Sequence, residues 1–527
     1  MNTTPTRTMH SLLLSIILLI SSSFLSSAHT QDFFTCLKSY KNSNGSIYTQ
    51  QNPTFSTLRQ SMVQNILAQN RLPLNPTAIL TPSHEKEIQV AVHCAKMFDL
   101  LIRVRSGGHD FEGLSYLSQV PFIIIDLVNI RSISIDAKKK TAWVGGGATV
   151  GELYHALATK SRTLAFSTGT CATIGVGGHF SGGGFGIMSR KYGLSGDNII
   201  DAKIIDYKGR LLNRKAMGED LFWAIRGGGG GSFGIVTAWK IELVTVPKTV
   251  TVFNVTRPLD NHTAELVHKW QSIAPKIDNN LFIRVIINKF NGVLQISFKS
   301  FFIGRANDLL KIMQKSFPEL GLLDSDCVEM SWIDSVLYHA NFRRGDSIDV
   351  LLNRLNVTGT YFKIKSDYVT SPISENGLGG LFEMLQEEDV PILIDLQWSP
   401  YGGKMAEISE SSLPFPHRAG IKYMIESIFV LAPPQAVNVD RYMSWIDRYY
   451  KYMSTYVSKS PRRAYINFRD LDLGVNNYVS NSTSSYNKAK KWGKRYFNNN
   501  FQRLSHVKSK VDPTNFFRHE QSIPPFK

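Results

Sequence analysis

Cysteine is scarce in this chain: four residues in 527, too few for a small scaffold built on disulfides. Beyond the leader no run is long and apolar enough to cross a bilayer, and neither internal repeats nor low-complexity segments appear. No group of His, Cys, Asp and Glu has metal-ligand spacing, so no metal is expected. A P-loop and a Ser-His-Asp context are missing too, which argues against kinases and serine hydrolases. Acidic residues are outnumbered, 42 against 59 Lys and Arg, giving a formal net charge of +17. The basic stretch from Lys488 to Lys510 interleaves Trp492, Tyr496, Phe497 and Phe501. It carries no nucleic-acid reader motif, so a solvated basic face is expected and no nucleic-acid partner.

With 43% hydrophobic and 11% aromatic residues, the chain has ample material for large cores. Residues 1–28 read as a secretory signal: Arg7, an apolar run from Leu12 to Ile20, then Ser26-Ser27-Ala28 as a small-residue cleavage site. Asn-x-Ser/Thr triplets at Asn44, Asn254, Asn261, Asn356 and Asn481 agree with secretion, to the extracellular space (apoplast) or a vacuole.

Glycine is concentrated in two places, R-V-R-S-G-G-H-D from Arg103 to Asp110 and T-G-T-C-A-T-I-G-V-G-G-H-F-S-G-G-G-F-G from Thr168 to Gly186. Such runs do not build element interiors; they let backbone lie flush against a ligand or another chain segment. Consecutive free N–H groups make nests for anions such as phosphate, and Arg105 sets a permanently charged fork beside the first. Each run holds one side chain able to form a covalent bond, His109 and Cys171. On spacing alone His109 is either an attachment point or a turn histidine, and Cys171 either an attachment point or a structural thiol. Two cradles with one nucleophile apiece suggest a phosphorylated cofactor held at two points. A second glycine signal, Gly229, Gly231 and Gly234, spells G-x-G-x-x-G but follows a predicted helix and precedes a predicted strand, the reverse of a dinucleotide fold.

Apolar spacing predicts helical structure within 32–70, then a short strand and a helix capped by Ser83 with Glu85 and Glu87 in its first turn. Strands are expected at 101–105, 122–127, 133–136 and 142–145, and helices at 150–159 and 220–226. After Pro247 longer alternating segments at 281–288, 292–302, 359–369, 392–398 and 422–431 predict one antiparallel sheet. Its helices are expected at 262–273, 306–315, 378–388 and 438–456. In that sheet Glu426 shares a face with Met424, Ile428 and Val430, and is either a solvated rim residue or a cleft carboxylate with a raised pKa. Arg284, between Ile283 and Val285, either lies on the surface or faces a substrate.

The two glycine runs, with Y-G-G-K-M-A-E-I-S-E-S-S-L-P-F-P-H-R-A-G, N-F-R-D-L-D-L-G and D-P-T-N-F-F-R-H-E-Q-S-I-P-P, resemble the plant berberine bridge enzyme-like flavoproteins, nearest in wording to the cannabinoid-synthase branch. The resemblance implies an α+β fold. Its parts would be a helical segment 29–73, a PCMH-type FAD-binding domain 74–248, a substrate domain 249–463 built on an antiparallel sheet, and residues 464–527 returning to the FAD domain. It implies bicovalent FAD, 8α-histidyl through His109 and 6-S-cysteinyl through Cys171, and a Cys36–Cys94 disulfide, which leaves Cys327 as a buried thiol. Further cofactor contacts would come from Arg105, Ser106, Gly107, Gly108, Thr168, Gly169, Thr173, Ile174, Gly175, Gly177, Gly178, Gly184, Ile199, Gly234, Ile235, Val236 and Asn515. His179 is expected to be structural or phosphate-facing.

Glu426 matches the family's catalytic base, and Ile174 its oxygen gate, where valine admits oxygen and leucine blocks it. Phe468 stands where cannabinoid synthases carry a catalytic tyrosine, and Phe111 and Phe185 where many relatives have tyrosine. Phenylalanine has no proton to exchange, so a tyrosine mechanism does not carry over. With Tyr465, these rings predict an apolar substrate pocket. Expected is a monomeric, secreted oxidase of a phenolic, prenylated or alkaloid substrate, reoxidised by O2. A flavin-retaining Diels–Alder or cyclisation catalyst and a monolignol or oligosaccharide oxidase are the alternatives.

Overall fold

A computed structural model describes residues 32–38, 46–290, 292–354, 359–387, 391, 393–432, 439–476 and 485–526, and different apolar patterns in it produce different sheets. Short, continuous apolar runs make the first sheet, ordered β1-β2-β4-β3 from β1 (Ser46–Thr49), β2 (Ala78–Thr81), β3 (Leu101–Arg105) and β4 (Phe122–Asp126). Strand β4, F-I-I-I-D, has every residue buried and pairs in parallel with both β2 and β3, as expected of a strand covered on both faces. The helix Glu85–Met97 packs Ile88, Ala91, Val92 and Ala95 on this sheet.

That helix begins at His84, not Ser83; no side chain caps it, and Glu87 instead accepts the Ser83 backbone N–H at 2.6 Å. The longer carboxylate reaches back over the turn and takes the place of the hydroxyl cap. The predicted helical stretch is likewise interrupted. Residues 32–38 and the segments Phe55–Met62 and Ile66–Arg71 are helical, but S-I-Y-T between them pairs with β2. Cys36 and Cys94 form a disulfide that ties the 32–38 turn to the helix Glu85–Met97.

Strands β5 (Ile133–Asp136), β6 (Thr141–Gly145), β7 (Leu164–Ala165), β8 (Ile199–Ile205), β9 (Leu211–Leu212), β10 (Ile235–Glu242) and β11 (Val244–Thr245) come next. Five of them form an antiparallel sheet ordered β5-β6-β10-β8-β9, while β7 and β11 pair separately. The glycine-rich turn before β10 follows the helix Arg214–Ala224, so it lacks the strand–turn–helix order of a dinucleotide site.

Period-two alternation builds the third sheet from β12 (Val250–Pro258), β13 (Leu281–Phe290), β14 (Val293–Phe302), β15 (Val328–Met330), β16 (Tyr361–Val369), β17 (Leu393–Pro400) and β18 (Tyr423–Ala432). Its order is β15-β12-β14-β13-β17-β18-β16, all pairs antiparallel. One face carries Leu281, Ile283, Val285, Ile287, Ile394, Leu396, Trp398, Tyr423, Ile425 and Phe429. It is buried under the helices Asn261–Ile273, Ala306–Ser316, Glu375–Gln386 and Val439–Met453. The opposite face therefore receives the polar members of the alternation. β12, β15 and the short helix Trp332–His339 were not expected from the sequence.

The last segment packs back on the beginning of the chain. Phe516 and Phe517 join the core of the first sheet, Arg103 meets Glu520 at 2.9 Å, and the Lys508 ammonium donates to the carbonyls of Ser232 and Phe517. Among the described residues no helix is long and apolar enough to cross a membrane, and no group of side chains is arranged to hold a metal.

Candidate active site

The two glycine runs touch backbone to backbone. A Cβ on Gly107 would lie 2.2 Å from the Gly175 nitrogen, and one on Gly175 would lie 2.1 Å from the Gly107 nitrogen. Ser106 stitches the runs together: its hydroxyl donates to Gly146 O at 2.6 Å and accepts the Gly177 N–H. A capping box, Thr149 with Glu152, starts the helix Val150–Lys160. The first two N–H groups of that helix hold the loop carrying Cys171, donating to the carbonyls of Ile174 and Ala172.

His109 and Cys171 converge on one hydroxyl. The Thr173 Oγ1 lies 2.9 Å from His109 Nε2 and 3.6 Å from Cys171 Sγ. Cys171 is exposed and unpaired, unlike a structural thiol. His179 Nε2 accepts the Gly169 N–H at 3.1 Å, and burial together with nearby His109 pulls its pKa down to about 4. At neutral pH it is an uncharged structural group. The charged fork of Arg105 is paired, its Nη1 lying 2.8 Å from Asp126.

Three residues expected to touch the flavin carry buried polar atoms with no protein partner: Arg105 Nε, Thr168 Oγ1 and Asn515 Oδ1. A Cβ added to Gly178 would meet nothing within 4 Å, so this glycine borders open space. Donors, acceptors and open backbone on one wall fit a polar, phosphate-bearing group such as FAD. Gly184 has a positive φ of 75°, and Gly234 allows the chain to approach the Ile205 carbonyl. Ile199, Ile235 and Val236 are buried in β8 and β10, where they pack within the cores.

A cavity of about 550 Å³ opens from Thr170, Cys171, Ala172 and Thr173 toward the third sheet. Its far wall is formed by Asn254, Phe282, Arg284, Ile286, Asn288, Ser297, Lys299, Asp395 and Gln397 from four adjacent strands, with His339, Asn341 and Phe342 beside them. By residue this wall is mostly polar, with Phe282 and Ile286 among its members; the expected apolar pocket drew on other residues. The phenylalanines behind that expectation pack elsewhere. Phe185 is buried and stacked on Tyr401 at 5.2 Å, while Phe111 packs edge-on against Phe362 and Phe468. Tyr465 is buried, 5.1 Å from Phe468, and its oxygen accepts from the N–H groups of Gly184 and Phe185 and from Asn467.

Glu426 lies on this polar face, opposite Gln397 on β17 and Ser366 on β16. Burial raises its pKa to about 7, Arg284 opposes that rise, and Asp395 adds to it. It is half-buried on the sheet rather than a fully solvated rim residue. Arg284 also faces the cavity: Nε donates to Ser399 Oγ at 2.9 Å and Nη1 to Gln397 Oε1, while Gln397 Nε2 donates to Asp395 at 2.8 Å. Glu426 also acts on the phenol of Tyr465, helping burial push its pKa up to about 12. Glu426 thus stands between Arg284 and the ring cluster of Tyr465 and Phe468.

Lys299, His339, Asp395, Gln397, Asn288 and Asn254 were missed as site residues. Except for His339, which ends the helix Trp332–His339, their signal was present as polar members of alternating strands, but the same signal describes a solvated face. Asn254, a glycosylation candidate, lines the cavity; Asn261 opens a helix, and Asn44, Asn356 and Asn481 lie outside the described residues, as does the leader. Cys327 is half-exposed rather than buried; partial burial and nearby carboxylates lift its pKa to about 11.

Comparison with known proteins supplies the family. A FAD binding domain family matches residues 76–214, and the berberine and berberine-like family matches residues 464–524. The chain is 46% identical over 509 residues to tetrahydroberberine oxidase of Berberis wilsoniae, covering 95% of each chain. It is 46% identical over 528 residues to a monolignol oxidoreductase of Arabidopsis thaliana, covering 96% of each. Among solved structures, a grass pollen allergen with glucose dehydrogenase activity superposes with a TM-score of 0.89 at 41% identity, over 94% of this chain and 100% of that one. A variant of that allergen with valine in place of isoleucine is a glucose oxidase.

Proposed function

Because this chain belongs to the berberine bridge enzyme-like family of FAD-linked oxidoreductases, we propose that it oxidises a hydroxyl group on a polar, hydroxyl-rich substrate of carbohydrate type, with Glu426 as the base. The observation that carries this reading is the wall of Asn254, Asn288, Ser297, Asp395 and Gln397 beside Glu426. A polyol needs paired donors and acceptors at several points, and buried amides and hydroxyls left unpaired would penalise an apolar ligand.

Glu426, poised near pH 7, takes the hydroxyl proton. Arg284 keeps part of that carboxyl ionised and, through Gln397 and Ser399, fixes the wall on which the substrate lies. FAD, when bound, accepts the hydride leaving the same carbon, and the product is a carbonyl compound. His109 and Cys171 each supply one covalent attachment, Thr173 orients both, and Arg105, Thr168 and Asn515 offer their unpaired atoms to the cofactor. Ile174 occupies the oxygen gate. The isoleucine-to-valine change that makes the pollen enzyme an oxidase supports slow reaction with O2 here, whereas the sequence left isoleucine at the gate between oxidase and dehydrogenase. The leader, the sequons and the Cys36–Cys94 disulfide support a secreted glycoprotein.

Phe282 and Phe342 favour a second reading, an aromatic alcohol stacked at one end of the cavity. Anaerobic flavin bleaching distinguishes the two. Aldoses and oligosaccharides should bleach the flavin, and Glu426→Gln should prevent it. Bleaching by coniferyl alcohol alone selects the second reading. Product formed from a prenylated phenol without bleaching replaces both with flavin-retaining cyclisation.

A further inference from the structure

The cavity wall contains two cations, Arg284, which acts on Glu426, and Lys299, to which the proposed reaction gives no role. Arg284 on β13 and Lys299 on β14 are direct cross-strand partners, and both line the cavity. Such pairs bring side chains within about 5 Å at Cβ, and like charges placed this way repel unless an anion lies between them. Neither forms an ion pair with a carboxylate among the described residues. Arg284 is bonded to the neutral Ser399 and Gln397, and Lys299 to the Asn341 side chain at 2.9 Å and more weakly to the Tyr338 carbonyl at 3.4 Å. Asp395, the nearby acid, is held by Gln397 and keeps a buried Oδ1 with no partner. His339 adds a buried Nε2 that also lacks a partner. Burial works against both cations, lowering the Lys299 pKa to about 8 and that of Arg284 below its usual range.

We propose that Arg284 and Lys299, with Nε2 of His339 beside them, form a subsite for a carboxylate carried by the substrate, so that the enzyme selects hydroxylated acids over their neutral counterparts. A carboxylate offers two oxygens to two separated cationic donors, which a single phenolate oxygen cannot do. The wall supplies the donors in a setting sheltered from water, where charge-assisted hydrogen bonds are strongest.

This assignment rests on the hydroxyl-oxidation reading but fails separately from it. The measurement is the affinity of the flavin-loaded protein for glucuronate and ferulate against their methyl esters, followed by calorimetry and by perturbation of the flavin spectrum. At least one acid should bind about tenfold or more tightly than its ester. Lys299→Met should erase that difference, and Lys299→Arg should restore most of it. Unchanged flavin content in both variants shows that they fold. Equal affinity for acid and ester, no binding of either acid, or a preference that survives Lys299→Met overturns the subsite. Neutral alcohols that still bleach the flavin would then leave the oxidation reading standing, whereas acid-selective binding without bleaching would keep the subsite and remove the oxidation.

Discussion

Two walls face each other across the cavity and are built from different materials. On the Cys171 side, main chain meets main chain: Gly107 and Gly175 approach too closely for any side chain, and Ser106 ties the loops with one hydroxyl. On the sheet side the backbone is regular, and side chains of alternate residues on β12, β14, β13 and β17 line the cavity. The first wall tolerates little substitution because its shape is its backbone path. The second can exchange a residue without disturbing a strand. A fold built this way holds one cofactor while accepting different substrates.

Several experiments break or sharpen that contrast. The largest effect is expected from His109→Ala combined with Cys171→Ala, which should remove all protein-attached flavin after acid precipitation; each single variant should keep one attachment. On the opposite wall, Glu426→Gln should slow anaerobic flavin reduction by about 10²- to 10⁴-fold while leaving flavin content unchanged. The wild-type rate should rise with pH through about 7, since the base works only when deprotonated; a flat profile from pH 5 to 9 would remove Glu426 from that role. Disulfide loss comes next. Cys36→Ser with Cys94→Ser opens a loop of 58 residues and should cost up to about 4 kcal/mol in denaturant unfolding, on the loop-entropy view. Gly175→Ala should lower stability by about 2–3 kcal/mol, against less than about 0.5 kcal/mol for the exposed Gly321→Asn control. The control position is left-handed, with φ 65° and nothing within 4 Å of an added Cβ.

Sequence reading succeeded where geometry is imposed by the residue type itself. Glycine runs around His109 and Cys171 mark a backbone wall, and the alternation in β13, β14, β16, β17 and β18 marks a sheet. It did less well where tertiary packing decides. Phe111, Phe185 and Phe468 suggested an apolar pocket, yet Phe185 is stacked on Tyr401 and the other two pack together. Lys299 and Asp395 looked like an exposed strand face because nothing local says that a second wall covers them. His339 depends on an eight-residue helix too short to show a clear period. The sequon at Asn254 illustrates the same point: the triplet is readable, but its place at the cavity is not.

The return of the final residues to the first sheet has a consequence for biogenesis. Phe516, Phe517 and Glu520 complete a core and an ion pair begun by Ile102 and Arg103 some four hundred positions earlier. A ribosome therefore releases the closing piece of the earliest sheet only after the strands of the other two sheets have been made. Until then the first sheet lacks Phe516 and Phe517 from its core, so apolar surface stays open during synthesis. A nonsense codon at Phe516 should thus yield a colourless, unstable product, although every residue that lines the cavity would be present.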